Sequence, residues 1–458
     1  MVKKNKLSVE ELKHRTRRLS IKEGIFWTFR QAFGDHYIAP FAIAIGSSNP
    51  MVALISTMWN MSFLTQIFGI KILRRFSRKK IITTSVFINS IGFLLMALIG
   101  FLYLKNIWIE YLPLLILGDL FIVLSSMGIG HPAWFSWMGD VVDSKYRGRW
   151  WAKRSTILTF MSITLTIIAS FILEYFKKVS LEMVGFVIFF SIAFLARLYC
   201  VSILKKHYEP KFKKTKEKKF KILKFAKEIS KTNFGKFILF RGILAMSIMI
   251  TSPLVAIYLL RYLGFNYPTY IIIALSGMIF SIFTLNIWGK LADKYGNYRI
   301  ILLSTILIPM IPILWILSSS KIYLFLVPGI IGGIGWYGFL LASRNFVYDN
   351  NKKVNRAKAI AIMNFGLCLG ATMGGLLSAA LIKYLHTTWI EPIILIFFIG
   401  AILRMIAVFF FVPRLREIKH KQKFKGFKEL EHLVVKDLGP ALIEEAHEIE
   451  SIKNYIKE

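Results

Sequence analysis

The sequence predicts an all-α membrane protein in which twelve transmembrane helices form two pseudo-symmetric six-helix bundles, with both termini in the cytoplasm. Three observations predict this fold class: a high apolar content, long apolar runs along the whole chain, and a one-sided distribution of basic residues. Of the 458 residues, 55% are hydrophobic and 19% are charged. Soluble proteins are about 45–50% apolar and about 25% charged, so the composition argues against a soluble protein.

Twelve apolar runs are long enough to cross a bilayer, because a hydrocarbon core of about 30 Å requires about 20 helical residues. The runs lack the alternation of barrel strands and are too long for them, so each is predicted to be a helix. The predicted spans are 24–46, 51–73, 80–104, 112–138, 151–174, 181–204, 235–261, 268–289, 299–318, 321–344, 357–383 and 388–413.

The basic residues predict the orientation of these spans. With a cytoplasmic N-terminus, 50 of the 60 Lys and Arg residues lie in inner segments, 6 in outer loops and 4 within spans. This is a strong positive-inside pattern, and it requires an even number of spans in the cell membrane. The net charge of +35 is therefore mostly a consequence of topology. It favours contact with anionic membrane lipids and argues against nucleic-acid binding.

The polar segments divide the chain into five parts. F-x-x-F-R occurs in span 1, ending at Arg30, and again in span 7, ending at Arg241. This echo, with a long basic linker between the halves, indicates a transporter built from two bundles around a central cavity. The parts are an N-terminal tail (1–23), an N-terminal bundle (24–204), a linker (205–234), a C-terminal bundle (235–413) and a C-terminal tail (414–458).

The loop after span 8 carries the most specific motif. It reads GKLADKYGNYR and contains Gly289, Asp293, Gly296 and Arg299. This segment resembles the G-x-L-a-D-r-x-G-r-k/r signature of the major facilitator superfamily, and the resemblance covers residues 20–415. It implies a secondary transporter that works by alternating access, in which Asp293 helps to latch the cytoplasmic side. The first copy of the motif, after span 2, lacks the aspartate. Gly289 is expected to permit close helix approach and Gly296 a tight turn.

Span 11 contains a second glycine pattern. Gly366, Gly370, Gly374 and Gly375 recur at a spacing that lets helix backbones pack closely. We interpret the pattern first as a packing face and only second as a marker of efflux transporters.

Several polar side chains lie at membrane depth, where charged groups are costly. Asp35 and His36 fall in the middle of span 1, and Asp119 in the outer part of span 4. Asp35 is a candidate proton or cation site, although a paired, structural carboxylate is the alternative. His36 is a weaker candidate for the same pathway, and Asp119 a candidate for cation attraction or an outer gate. Trp336 and Tyr337 in span 10 are candidates for an aromatic substrate wall.

Arg30 and Arg241 lie at matched depths near the cytoplasmic ends of spans 1 and 7. They are predicted to pair with Asp140 or Asp349 in an inner gate, the alternative being that they extend to the lipid surface. Two further intramembrane arginines, in spans 6 and 12, are predicted to be structural: Arg197 and Arg404.

We therefore predict a monomeric secondary transporter that moves a small molecule. Transport is expected to be driven by an ion gradient or to run as facilitated diffusion. No nucleotide-binding loop, cofactor motif or metal-spaced cluster is apparent in the sequence. A non-transporting sensor with the same fold is the main alternative, and a membrane-embedded enzyme a weaker one. The substrate, the direction of transport and the coupling ion are left open.

Overall fold

The computed structural model describes residues 8–73, 75–143, 147–211, 231–282, 284–351 and 356–418. All regular secondary structure within these ranges is helical. Most of the predicted linker (212–230) and of the predicted C-terminal tail (419–458) lies outside the described residues.

The chain forms two compact units. Unit 1 comprises Met1–Lys219 and Ala256–Ile271, and unit 2 comprises Phe220–Val255 and Ile272–Glu458. The segment Ala256–Ile271 thus packs with unit 1, although the sequence places it in the second bundle. Arg261 fastens it there by donating hydrogen bonds to the Ser47 carbonyl and to Asn49.

In unit 1, helix α5 lies at the centre and packs against both α6 and α8. Helix α1 packs against α7 and α8, while α3 and α4 pack against α6. The helices are α1 (Val9–Phe33), α2 (Ile38–Ala44), α3 (Asn49–Phe63), α4 (Gln66–Leu73), α5 (Arg78–Leu104), α6 (Leu112–Val141), α7 (Arg147–Lys178) and α8 (Glu182–Lys205).

In the second half of the chain, α9 packs most extensively against α15 and also against α16, while α12 packs against α14. Helix α10 begins in unit 1 and continues into unit 2. The helices are α9 (Asn233–Thr251), α10 (Tyr267–Ile282), α11 (Leu285–Tyr295), α12 (Asn297–Leu307), α13 (Met310–Ile316), α14 (Lys321–Asp349), α15 (Arg356–Tyr384) and α16 (Pro392–Phe411).

Nine helical segments within the described ranges are long and apolar enough to cross a membrane, and they correspond to nine of the predicted spans. The other three predicted spans, 24–46, 51–73 and 268–289, contain no described helical segment that is both long enough and apolar enough. The protein is thus an all-helical, multi-pass membrane protein, and the count of twelve stays a prediction.

Helix α1 differs from the predicted boundary between tail and span. It begins at a capping box in which the Glu11 N–H donates to Ser8 Oγ and the Ser8 N–H donates to the Glu11 carboxylate. Hydrogen bonds from the backbone and the side chain of Ser8 to the carboxylate lower the pKa of Glu11. The helix then continues to Phe33 without interruption, so most of the predicted N-terminal tail and the first half of span 1 are one element.

The glycine pattern of span 11 is a packing face, as predicted. A Cβ atom added at Gly370 would overlap the backbone carbonyl of Gly242, and one at Gly374 would overlap that of Met246. The backbones of α9 and α15 therefore approach so closely that only glycine fits at these positions.

Candidate functional site

The first span is broken next to its candidate ionisable residues. Helix α1 ends at Phe33, and Gly34 has φ −122° and ψ −82°, so a short 3-10 turn, Asp35–Tyr37, separates α1 from α2. A Cβ at position 34 would overlap the Phe93 ring and lie 2.6 Å from the Arg30 carbonyl oxygen. The tight packing selects glycine here, and the break lies in the middle of predicted span 1. Irregular backbone at this depth is typical where it lines a cavity.

Asp35 pairs with Arg30 within this broken span. Arg30 Nη2 donates to Asp35 Oδ2, and the Arg30 side chain is completely buried. Its guanidinium lies 5.7 Å from the ring centre of Trp27 and 5.9 Å from that of Trp59. The pairing of Arg30 with Asp140 predicted from the sequence is therefore wrong in unit 1, because the nearer carboxylate five residues along satisfies the charge.

A second buried ion-pair group lies about two turns earlier along α1, on the same face as Arg30. Glu23 Oε2 is 3.6 Å from Arg154 Nη2, and Glu23 Oε1 is 3.7 Å from Arg197 Nη1. Arg197 Nε also donates to Asn89 Oδ1 at 2.7 Å. One carboxylate thus serves two arginines that come from α7 and α8.

These two groups border a cavity of about 310 Å³ inside unit 1. Aromatic side chains supply much of its wall, and three arginines and one glutamate supply its charge. Its lining includes Glu23, Trp27, Arg30, Trp59, Phe63, Ser85, Met127, His131, Trp134, Phe135, Trp151, Arg154 and Arg197. The volume is at the lower end of the range of about 300–1,000 Å³ that is typical of small-molecule pockets.

The cavity brings together only part of the predicted site. Arg30 lines the cavity. Asp35 does not line it but forms an ion pair with Arg30. His36 and Asp119 are not among the lining residues. His36 is half-buried in the 3-10 turn. Asp119 is only 8% exposed, and within the described ranges no side chain forms a hydrogen bond or ion pair with it.

The predicted site residues of unit 2 lie around α14. Trp336 and Tyr337 are half-buried, and Trp336 packs on Phe339 with ring centres 6.2 Å apart. The Arg241 guanidinium lies 4.8 Å from the Phe339 ring centre. Asp349 accepts a hydrogen bond from Asn297 Nδ2 at 2.7 Å. Arg241 and Asp349 do not form an ion pair among the described residues of this unit, so the predicted pairing of these two residues is wrong here.

Comparison with known families identifies the chain. The family model described as the Major Facilitator Superfamily matches residues 26–285 and again residues 237–444. The chain belongs to the major facilitator superfamily. Membership confirms the resemblance seen in the sequence, and it makes this superfamily member a secondary transporter.

Solved structures of similar fold support this assignment. A nucleoside transporter, NupG, is 15% identical with a TM-score of 0.61, covering 88% of this chain and 98% of its own. A bacterial homologue of the iron transporter ferroportin is 13% identical, with a TM-score of 0.67 and coverage of 89% and 99%. An auto-inhibited POT family peptide transporter is 12% identical, with a TM-score of 0.66 and coverage of 90% and 99%.

At these identities the similarity shows the fold of the superfamily member and not its substrate. No curated protein matches the chain.

Two structural features were predicted for the superfamily motif after span 8, a tight turn at Gly296 and a close helix approach at Gly289. Gly296 ends α11 with φ +93°, so the predicted tight turn is confirmed. A Cβ at Gly289 would meet no described atom within 4 Å, so the predicted close helix approach at this residue is wrong. Asp293 is exposed and Arg299 half-buried, and the latch role of Asp293 stays a prediction.

Asp140 belongs to a polar cluster that the sequence did not predict. Arg78, at the start of α5, is completely buried and contacts Asp140 Oδ2 at 2.5 Å, the Ser136 carbonyl at 3.1 Å and the Pro210 carbonyl at 2.8 Å. The Lys79 N–H donates to Glu209 Oε1 at 3.3 Å. The cluster anchors the chain segment that follows α8 to the ends of α5 and α6.

Sequence reasoning also missed Glu23, because the predicted domain boundary placed it in the cytoplasmic tail. One available signal was the spacing of Glu23, Trp27 and Arg30. Positions i, i+4 and i+7 lie on one face of a helix, and all three side chains line the cavity. The sequence contains no comparable signal for the cavity-lining residues of α7 and α8, because it does not give the rotation of each helix about its own axis.

Proposed function

We propose that this superfamily member moves a small organic molecule across the cell membrane by alternating access, and that the cavity in unit 1 forms part of the substrate path. The observation that carries the proposal is the cavity itself, which lies beside a broken span and is bordered by three arginines. Binding sites built beside interrupted helices are common in secondary transporters.

The proposed topology has twelve spans with both termini in the cytoplasm. The strong excess of basic residues in the segments assigned to the inner side supports it. In this arrangement the Arg78 cluster lies at the cytoplasmic face. We further propose that the protein acts as a transporter and not as an enzyme.

The main alternative is a sensor of the same fold, and a flux assay separates the two. Purified protein in proteoliposomes would be tested by counterflow against a panel of labelled organic acids, amines, nucleosides and peptides. We expect saturable exchange of at least one class. Binding of a ligand without any exchange would support the sensor.

A cavity-filling variant ties transport to the proposed path. Ser85 lines the cavity and is buried, so Ser85→Phe should abolish exchange. Ser202→Phe is the matched control, because Ser202 is exposed and is not among the lining residues. Unchanged exchange in Ser85→Phe would place the substrate path elsewhere.

Proton coupling has two candidates, Asp35 and Asp119. Asp35 has an arginine partner, whereas Asp119 is buried without one among the described side chains. An isolated carboxylate at membrane depth is costly, and uptake of a proton relieves the cost. This comparison favours Asp119 as the proton carrier and Asp35 as a structural anion.

Single variants of the two aspartates test this assignment. Asp119→Asn should lose accumulation driven by a proton gradient and retain counterflow, which needs no gradient. Asp35→Asn should reduce both, because it leaves Arg30 buried without a carboxylate. If Asp35→Asn alone removes gradient-driven accumulation and Asp119→Asn does not, Asp35 is the coupling residue.

A further inference from the structure

The charges that border the cavity of unit 1 do not balance. Three arginines line it, Arg30, Arg154 and Arg197, and the carboxylates paired with them are Glu23 and Asp35. Among the described residues, three positive charges and two negative ones thus lie at or next to the cavity, which leaves an excess of one positive charge. A buried charge without a counter-charge is destabilising, so the cavity favours a ligand that carries one negative charge.

The unused hydrogen-bonding groups are also of one kind. Arg30 Nε and Arg197 Nη1 are buried and have no hydrogen-bond partner among the described residues. The two side chains are 0% and 2% exposed. Both atoms are donors, and the described lining side chains include no buried acceptor that lacks a partner. Because neither atom has accessible surface, a ligand in the cavity meets the positive charge of the two guanidiniums and not these donor atoms.

The wall of the cavity favours a flat apolar body. Six aromatic side chains line it: Trp27, Trp59, Phe63, Trp134, Phe135 and Trp151. Because arginines lie over the rings of Trp27, Trp59, Trp134 and Trp151, an aromatic ligand meets these rings by edge-to-face contact. An apolar lining with a few charged donors is the usual composition of a site that orients a small organic molecule.

A cationic ligand in an aromatic cage is the rival interpretation. It is disfavoured because the arginines already occupy the ring faces that would hold it. The Arg154 guanidinium lies 5.0 Å from the Trp134 ring centre and 5.9 Å from that of Trp151, and Arg30 lies over two further tryptophans. These cation–π contacts would be lost, and the guanidiniums would repel a second cation.

We propose that the substrate is a small aromatic monoanion, an aromatic ring system that bears one carboxylate. The excess positive charge of the arginines attracts the carboxylate, and the tryptophan-rich wall packs against the ring. This inference rests on the proposed function, since it names the substrate class of the same cavity. A dianion would bring one negative charge more than the single excess positive charge neutralises. A neutral ligand would leave that positive charge uncompensated.

Binding to the purified full-length chain in detergent tests the class directly. Isothermal titration calorimetry would use 2-naphthoate, its neutral analogue 2-naphthamide and its cationic analogue 2-naphthylmethylammonium. We expect naphthoate to bind at least about ten-fold more tightly than the amide, a difference of about 1.4 kcal/mol, and the ammonium to bind most weakly. Equal binding of acid and amide, or tighter binding of the ammonium, would overturn the proposal.

Charge-changing variants test the charge excess. Arg197→Gln removes the excess, so the preference for naphthoate over naphthamide should disappear. Glu23→Gln raises the excess by one, so naphthalene-2,6-dicarboxylate should gain affinity relative to naphthoate. Arg404→Gln is the matched control, because Arg404 is an equally buried arginine in unit 2. It should keep the wild-type preference. If Arg197→Gln does not fold, Arg154→Gln provides the same test, and an unchanged preference in the folded variant would contradict the proposal.

The calorimetric result is independent of transport. If naphthoate binds with the expected order but is never exchanged by proteoliposomes, the ligand class holds and the transport function fails. If the proteoliposomes exchange an amine or a nucleoside while naphthoate shows no preference over its amide, transport holds and the ligand class is overturned.

Discussion

Arg78 Nη1 lies 2.5 Å from Asp140 Oδ2, and this ion pair connects the first residue of α5 to the end of α6. Arg78 is completely buried, whereas 48% of the Asp140 side chain is exposed. The same guanidinium donates to the carbonyl of Pro210. Arg78 is therefore the centre of the cluster and Asp140 is its partly solvated partner.

We expect Arg78→Gln to destabilise the protein more than Asp140→Asn does. The first change removes the hydrogen bonds of a charged group to several acceptors, each worth about 1.5–3 kcal/mol. The second leaves an amide oxygen near Arg78. Melting temperatures of the detergent-solubilised proteins, read from intrinsic fluorescence, measure the difference. An equal or larger loss in Asp140→Asn would show that Arg78 is not the central residue.

His207, in the segment that the cluster anchors, is expected to make stability depend on pH. It is 2% exposed, and its ring packs against Trp137. Burial, with the nearby charges of Lys79 and Arg154, lowers its pKa from 6.5 to about 4. Between about pH 4 and pH 6.5 the His207 imidazole therefore binds a proton in the unfolded chain but not in the folded chain. The resulting stability is complete above about pH 6.5 and is lost as the pH falls towards 4, by up to about 3 kcal/mol.

The variant His207→Phe should remove this contribution. Its melting temperature should fall less between pH 7 and pH 4.5 than that of the wild type. His386→Phe is the matched control, because His386 is exposed, and its pH profile should follow the wild type. Parallel profiles for wild type and His207→Phe would exclude His207 as the source of the pH dependence.

The glycines of α15 are expected to differ sharply from the motif glycine of α11 in their tolerance of a methyl group. Gly370→Ala forces a methyl group into the Gly242 backbone, so the melting temperature should drop by several degrees. Gly289→Ala adds its methyl group where no described atom lies within 4 Å. It should be neutral or stabilising, by up to about 1 kcal/mol, because alanine favours a helix. Similar effects of the two changes would argue against the close α9–α15 contact.

Arg241 is expected to be needed for transport and to lower the melting temperature of the protein. It is 7% exposed and contacts the Phe339 ring, and it has no hydrogen bond or ion pair within the part of the chain that the structure describes. Replacing an uncompensated buried charge by an apolar side chain of similar size is often neutral or stabilising. Arg241→Met should therefore keep or raise the melting temperature and reduce proteoliposome exchange.

Arg404→Met provides the comparison for Arg241. Arg404 is also buried, but it donates hydrogen bonds to Thr251 and to the carbonyls of Ile248 and Ile308. Its replacement should lower the melting temperature. A stability loss in Arg241→Met as large as that in Arg404→Met would indicate a structural role for both.

The sequence by itself determined the fold class, the membrane environment and the superfamily. Hydropathy and the distribution of charge are summed over many residues, so these signals survive errors at single positions. The Gly296 turn and the glycine packing face of α15 were also predictable, because only glycine permits these backbone conformations and contacts.

Only the tertiary structure decided which charges meet. Arg30 takes Asp35 as its partner, Asp140 takes Arg78, and Glu23 is shared between two arginines from other helices. Partner choice depends on the rotation and depth of each helix to within a few ångströms. Those quantities are set by side-chain packing between helices that are distant in the chain, and no local pattern in the sequence records them.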